Sequence, residues 1–289
     1  MNDYLLSVVL GVVEGLTEFL PVSSTAHLRI VEALFKVSLT DGYWKMYTIV
    51  IQLGAILCLP VYFRSRIAGF ISSFPGSGRA WLSHPFSLVM LAFFVTALPA
   101  FLLSKIIGKH LESLLIIGTA LGVGGVIMAC VDLWRARGEA LGPNPGNPIR
   151  TWSMEEMSPG QAVWIGACQI LSAVFPGTSR SMSTIAGGQI AGLSRATALE
   201  FSFFVSIPTM FAATGYELLK GLLGKQAQPV RMDFHGWTIL SIGFVVSFVV
   251  AYGSVAWMMA WVRKHGFVPF AVYRLVVGAA VLIWASSIR

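Results

Sequence analysis

Glu14 and Glu18 stand in the stretch EGLTEFLPVSSTAH (Glu14–His27), inside an otherwise apolar neighbourhood. Residues four apart share one face of a helix. Ionisable groups at membrane depth are expensive, so each is a candidate for function. Two such carboxylates suit a divalent cation, which takes hard oxygen ligands. A proton relay or an ion pair is the alternative use. Ser24 and His27 are three apart, close enough on a helix to act as nucleophile and base or acid. His27 can equally be a polar residue at a helix end. Pro21 breaks the helical hydrogen-bond ladder. Ser23, Ser24 and Thr25 then offer caps for a second helix.

A related stretch recurs in the second half of the chain. GVVEGLTEFLPVSSTAHLRI (Gly11–Ile30) lies over GACQILSAVFPGTSRSMSTI (Gly166–Ile185). Gly11 meets Gly166, Pro21 meets Pro176 and Ser24 meets Ser179. Glu14 faces Gln169, Ser23 faces Thr178 and Thr25 faces Arg180. The first copy holds acids and a histidine, whereas the second holds an arginine. Arg180 has Ser179 and Ser181 on either side and follows Thr178. An arginine, hydroxyls and free N–H groups at a helix start make an oxyanion or phosphate site. Together these groups provide what phosphoryl transfer needs, where positioning and charge neutralisation dominate. Arg195 is either a lipid-phosphate contact or an interfacial anchor. Glu200 and Arg274 read as structurally paired charges.

The elements that carry these residues are set by composition. The chain has 289 residues, of which 56% are hydrophobic and 11% charged. Soluble domains carry about 25% charged residues. The expectation is an all-α polytopic membrane protein. The net charge of +7 suits anionic headgroups or an anionic substrate. The basic residues are scattered, which argues against nucleic acid. They also divide evenly between the two sides, so charge bias does not set the orientation. Cys58, Cys130 and Cys168 lie in apolar runs without disulfide or metal spacing. The motif acids follow the first apolar run too closely for a cleaved leader.

Met1–Phe35 reads as a re-entrant helix–break–helix hairpin. Its second arm, from about Ser24, is roughly 18 Å long and falls short of the roughly 30 Å of hydrocarbon. Spans are expected at Tyr43–Phe63, Pro85–Leu103 and Leu114–Trp134. Arg135–Pro159 is rich in Gly and Pro and reads as an exposed polar loop. Gln161–Phe175 and about Ser181–Ala191 form a second re-entrant hairpin, with spans at Ala196–Leu219, Trp237–Trp261 and Val268–Trp284 to follow. Three spans separate the hairpins, so they enter from opposite faces. This is an inverted-topology repeat, each half a re-entrant hairpin plus three transmembrane helices. Repeat 1 covers about residues 1–134, the polar loop 135–159 and repeat 2 about 160–289. Broken helices of this kind build a midplane site, where the tips Glu14–His27 and Thr178–Ser181 would meet.

EGLTEFLPVSSTAH and PGTSRS resemble the two motifs of the undecaprenyl-diphosphatase family, also called bacitracin-resistance proteins. The likeness extends to QLGAI (Gln52–Ile56) and EFSFF (Glu200–Phe204). It implies a membrane enzyme that removes the terminal phosphate of undecaprenyl diphosphate and so recycles the lipid carrier for peptidoglycan synthesis. It also implies dependence on Mg²⁺ or Ca²⁺, residence in the bacterial cytoplasmic membrane and a site open to the outer face. Glu14 and Glu18 match the acids, Ser24 and His27 the catalytic pair, and Arg180 the diphosphate-binding arginine. Met182 stands where a small residue is common. Ser23, Thr25, Thr178, Ser179, Ser181 and Arg195 are the expected substrate contacts. The expected partners are a polyprenyl diphosphate and membrane lipids, with a homodimer admitted and no nucleic acid. The lipid phosphatases that use PSGH and a nearby histidine do not fit, because SMSTIAGGQIAG follows Ser179-Arg180. A secondary transporter or a lipid-phosphate translocase is the competing class.

Overall fold

The computed structural model describes residues 2–37, 42–75, 81–107, 113–144, 146–222 and 233–287. Among these residues there are eleven α-helices. They are α1 (Asp3–Thr17), α2 (Ser24–Phe35), α3 (Gly42–Tyr62), α4 (Arg64–Ser73), α5 (Pro85–Ile107) and α6 (Leu114–Leu141). After the long connection come α7 (Pro159–Val174), α8 (Arg180–Ile190), α9 (Arg195–Leu222), α10 (Phe234–Val262) and α11 (Val268–Ser287). Six of them (α3, α5, α6, α9, α10 and α11) are long and apolar enough to cross a membrane. The protein is an all-α polytopic membrane protein. Each half runs as two short helices followed by three long ones, with α4 added in the first half.

Two expectations need correcting. Arg64–Ser73 forms a helix that the apolar pattern did not announce. The third span continues to Leu141 rather than ending at Trp134. Its inner face stays buried through Asp132, Arg135 and Gly138, so packing carries the helix on. It stops at Gly142, whose φ of 64° suits a residue without a side chain. The segment after it is tied down: Asn147 Nδ2 donates to Gly138 O at 2.8 Å, and Arg135 donates to Pro148 O and Ile190 O.

The chain divides into two compact units that do not follow the two repeats. One unit comprises residues 1–19, 24–64 and 206–256. In it α1 crosses α10 closely. A methyl on Gly11 would lie 2.9 Å from Gly243 O, and one on Gly15 would lie 2.7 Å from Ser247 O. Leu6, Leu10, Val31, Tyr47, Ile51, Ile239 and Leu240 form its core. Ser7 Oγ, bonded to Tyr47 Oη at 2.8 Å and to Ile239 O at 2.7 Å, satisfies the polar groups there.

The other unit comprises residues 20–23, 65–205 and 257–289. Here α7 packs on α5, and a methyl on Gly166 would lie 2.6 Å from Ala92 O. Thr96 Oγ1 donates to Gly166 O across the same crossing at 2.8 Å. The helices α6 and α11 approach through small residues. A methyl on Gly118 would meet Gly278 O, and one on Gly278 would meet Gly118 O. Small residues allow such backbone contact between membrane helices. The first helix of each hairpin thus packs on the middle long helix of the other repeat.

Candidate active site

Both breaks are built the same way. A proline ends the incoming helix, and a serine with positive φ starts the next. These serines are Ser23, with φ of 76°, and Ser179, with φ of 71°. This shifts the expected register by one residue: Ser23, not Ser24, corresponds to Ser179. The cause is one extra residue between proline and cap in the second break. Gly177, with φ of 91°, sits in the added turn, where a methyl would lie 2.7 Å from Ile117 O. Direct overlay on the prolines could not reveal a one-residue insertion.

In the first unit the motif acids and the first hydroxyl of α2 come together. Ser24 Oγ donates to Glu18 Oε2 at 2.6 Å. Glu14 is 1% exposed, and neither of its carboxylate oxygens has a hydrogen-bond partner among the described residues. The Glu18 carboxyl is its neighbour. A cavity of about 180 Å³ opens beside them, lined by Glu14, Ser24, Thr25, Thr48 and Gln52 among others. Arg29, paired with Glu32 at 2.6 Å, also lines it, so the cavity presents a cation beside these oxygens. Thr25 is exposed and His27 half-buried in the first turn of α2. The hydroxyl of Ser24 therefore donates to an acid across the break. Among the described residues no group of three His, Cys, Asp or Glu gathers as a metal cage.

In the second unit α8 is buried from Ser181 to Gln189. Ser179 Oγ accepts from Met182 N and lies 3.0 Å from Ser181 Oγ. Ser181 is fully buried and donates to Leu20 O at 2.9 Å. Its hydroxyl is thus spent on the chain just before Pro21. Arg180 is half-buried, with Nη1 3.4 Å from Ser202 O. Thr184 Oγ1 accounts for the neighbouring carbonyl and hydroxyl, bonding Arg180 O and Ser202 Oγ. Thr178 lines an apolar groove of about 760 Å³ formed by α6, α7 and α8. Arg195 lies beyond the other end of α8. Its Nε donates to Asp132 Oδ1 at 2.7 Å, and its backbone N–H to Glu139.

Structural pairing holds for Glu200, which accepts from Arg66 Nε at 2.9 Å. Arg66 also grips Glu155 through both terminal nitrogens. Burial disfavours the charged Glu155, yet these bonds outweigh it and hold the carboxyl below its ordinary range. Arg274 departs from the expectation of a charge pair. It is fully buried and, among the described residues, donates only to main-chain carbonyls, at Pro21, Ala120, Gly177 and Thr178. Gln52 and Arg274 are the two residues whose positions the motif reading missed. Gln52 was visible only as part of QLGAI, and Arg274 only as an isolated cation inside a span.

Comparison with known proteins agrees with these observations. The family model described as bacitracin resistance protein BacA matches residues 7–280. An undecaprenyl-diphosphatase of Koribacter versatilis is 61% identical, over 99% of each chain. One from Caldanaerobacter subterraneus is 40% identical, over 95% of this chain and 93% of its own. An undecaprenyl-diphosphatase 2 of Paramagnetospirillum magneticum is also 40% identical, over 96% of this chain and 98% of its own. With buried acids beside a helix-initial serine, and with a family match along nearly its whole length, the chain belongs to the bacitracin resistance protein BacA family.

Proposed function

We propose that this protein hydrolyses undecaprenyl diphosphate to undecaprenyl phosphate and inorganic phosphate, in the bacterial cytoplasmic membrane and from its outer side. The observation that carries the reading is the 2.6 Å bond from Ser24 to Glu18 beside the buried oxygens of Glu14. A hydroxyl donating to a carboxylate at that distance is placed to lose its proton to it. Ser24 attacks the terminal phosphorus, its proton passes to Glu18, and the phosphoanhydride bond breaks with undecaprenyl phosphate as the leaving group. Water then releases the phosphate from the serine.

Glu14 and Glu18 would hold the divalent cation, Mg²⁺ or Ca²⁺, which when bound neutralises charge on the diphosphate. The donor set fits such an ion. Hard cations take carboxylate oxygens, and Mg²⁺ keeps several waters rather than filling a protein cage. A buried carboxylate such as Glu14, whose oxygens have no hydrogen-bond partner among the described residues, is unfavourable unless a cation or a proton compensates. Arg180 carries the clamp on the phosphoryl oxygens, because its planar fork matches them. Thr178 and Thr25 offer further hydroxyl contacts. His27, half-buried in the first turn of α2, is the second acid or base of the set. One chain holds every group named, so the reading does not depend on the homodimer that the sequence reading admits.

The test is purified protein in detergent, given a prenyl diphosphate with Mg²⁺ or Ca²⁺. Phosphate release without any membrane barrier supports a hydrolase, and its absence under all metal conditions removes the reading. A phosphoserine at Ser24, trapped by rapid acid quench, supports serine attack. Wild-type turnover by Ser24→Ala would assign the attack to water. The names of the relatives give no support to the transporter alternative.

A further inference from the structure

We propose that Arg274 is a positioning residue that sets the geometry of both breaks, and that Gly124 provides its berth. The inference rests on the reading above, in which the breaks carry the phosphatase chemistry.

Arg274 lies within α11 and is fully buried. Nη1 donates to Pro21 O at 3.1 Å, in the first break. Nη2 donates to Gly177 O at 3.1 Å and Thr178 O at 3.0 Å, in the second. Nη2 also reaches Ala120 O of α6 at 3.1 Å. Backbone carbonyls in a break have lost their helical donors, and buried ones must find others. One guanidinium supplies donors to three of them at once. Among the described residues no carboxylate pairs with it. A buried cation without an acid is costly, so its presence asks for a function that a neutral donor would not serve.

The two breaks it joins are the ones that orient the chemistry. Thr178 precedes the cap of α8 and Arg180. Pro21 precedes Ser23 and Ser24. A shift of about 1 Å at a reacting group can cost about a hundredfold in rate. The berth is equally specific. A methyl on Gly124 would overlap Nη2 of Arg274 and lie 2.8 Å from Met182 Cε. The guanidinium is pinned by its carbonyls and has little room to withdraw. Lysine could not replace it, because a single ammonium cannot span both breaks.

The test uses the full-length protein in detergent, with prenyl diphosphate turnover as the readout. Arg274→Gln should lower kcat by about a hundredfold with a smaller rise in KM, because the binding groups remain present but are displaced. Arg274→Lys should recover little of that loss. Added guanidinium ion should restore part of the turnover of Arg274→Ala, which a merely destabilised fold would not show. Thiols at Val22 and Thr178 report the breaks independently of activity. A short crosslinker should bridge them with Arg274 present and fail in Arg274→Gln. If the Arg274 variants do not fold, Gly124→Ala keeps the charge and should lower kcat in the same sense.

Wild-type kcat in Arg274→Gln, with Arg180→Ala inactive in parallel, overturns the inference alone. Wild-type kcat in both overturns the reading of the site as well. Unchanged crosslinking in Arg274→Gln, or wild-type kcat in Gly124→Ala where Arg274 variants do not fold, also overturns it.

Discussion

The two breaks share a backbone device and differ in how the side chains around it are used. Ser23 and Ser179 take the same positive φ after a proline. Beyond that point α8 is buried from Ser181 to Gln189, whereas α2 buries only Ser24, Ala26 and Val31. The second break spends its hydroxyls on structure: Ser179 caps Met182 N, and Ser181 holds Leu20 O. The first break spends Ser24 on Glu18, beside a cavity. One break is therefore a packed support carrying an arginine, and the other is a buried acid–hydroxyl pair beside a cavity. A repeated backbone fixes where groups can stand, and their hydrogen-bond partners decide how each is used.

That contrast makes loss of the acids the largest expected effect. Glu18→Gln and Glu14→Gln should each lose at least about a hundredfold in kcat, with thermal unfolding in detergent barely altered. EDTA should abolish wild-type turnover, and Mg²⁺ or Ca²⁺ should restore it. Full activity of both Gln variants would remove the acids from the mechanism.

Arg180 is the next test. Arg180→Lys should keep much of the substrate affinity and lose mainly turnover, since a fork gains strength as charge spreads over the phosphoryl oxygens. Arg180→Ala should lose both, with about a hundredfold in kcat. Michaelis parameters for the three proteins decide it, and a near wild-type kcat in Arg180→Ala would make the arginine a structural cap.

The shared backbone predicts equal packing behaviour in the two hairpins. Gly11→Ala and Gly166→Ala both push a methyl onto a facing carbonyl, and each should cost about 1–3 kcal/mol. Comparable drops in unfolding temperature would support equivalent roles. A drop at only one position would show that the two crossings are not alike.

The smallest effect concerns the caps. Ser179→Ala removes an acceptor for Met182 N and should cost about 1 kcal/mol. Ser179→Gly should cost less, because glycine adopts positive φ without strain. If Ser179→Gly is as destabilising as Ser179→Ala, the cap bond and not the backbone strain controls this site.

Much of the fold could be read from local pattern. Long apolar runs marked five of the spans closely, since a membrane helix must satisfy its own backbone and face lipid. The end of α6 was missed because Arg135 is polar in sequence but buried against Pro148 and Ile190. The pairing of Glu14 with Glu18 followed from helical spacing. The Ser24–Glu18 bond did not, because it crosses the break and depends on how Pro21 turns the chain.

By itself the sequence determined the membrane class and the duplicated proline–hydroxyl breaks, and it singled out Glu14, Glu18, Ser24 and Arg180 as candidates, because these follow from composition and near-neighbour spacing. Only the tertiary structure decided the register of the second break, where Gly177 adds a turn. It alone paired the first helix of each hairpin with the other repeat, through close approaches at Gly11 and Gly166. It alone gave Arg274 its place between Pro21 and Gly177. The physical reason is common to all three. Each depends on backbone carbonyls brought together from distant parts of the chain, and a carbonyl's partner is not written in the residue that carries it.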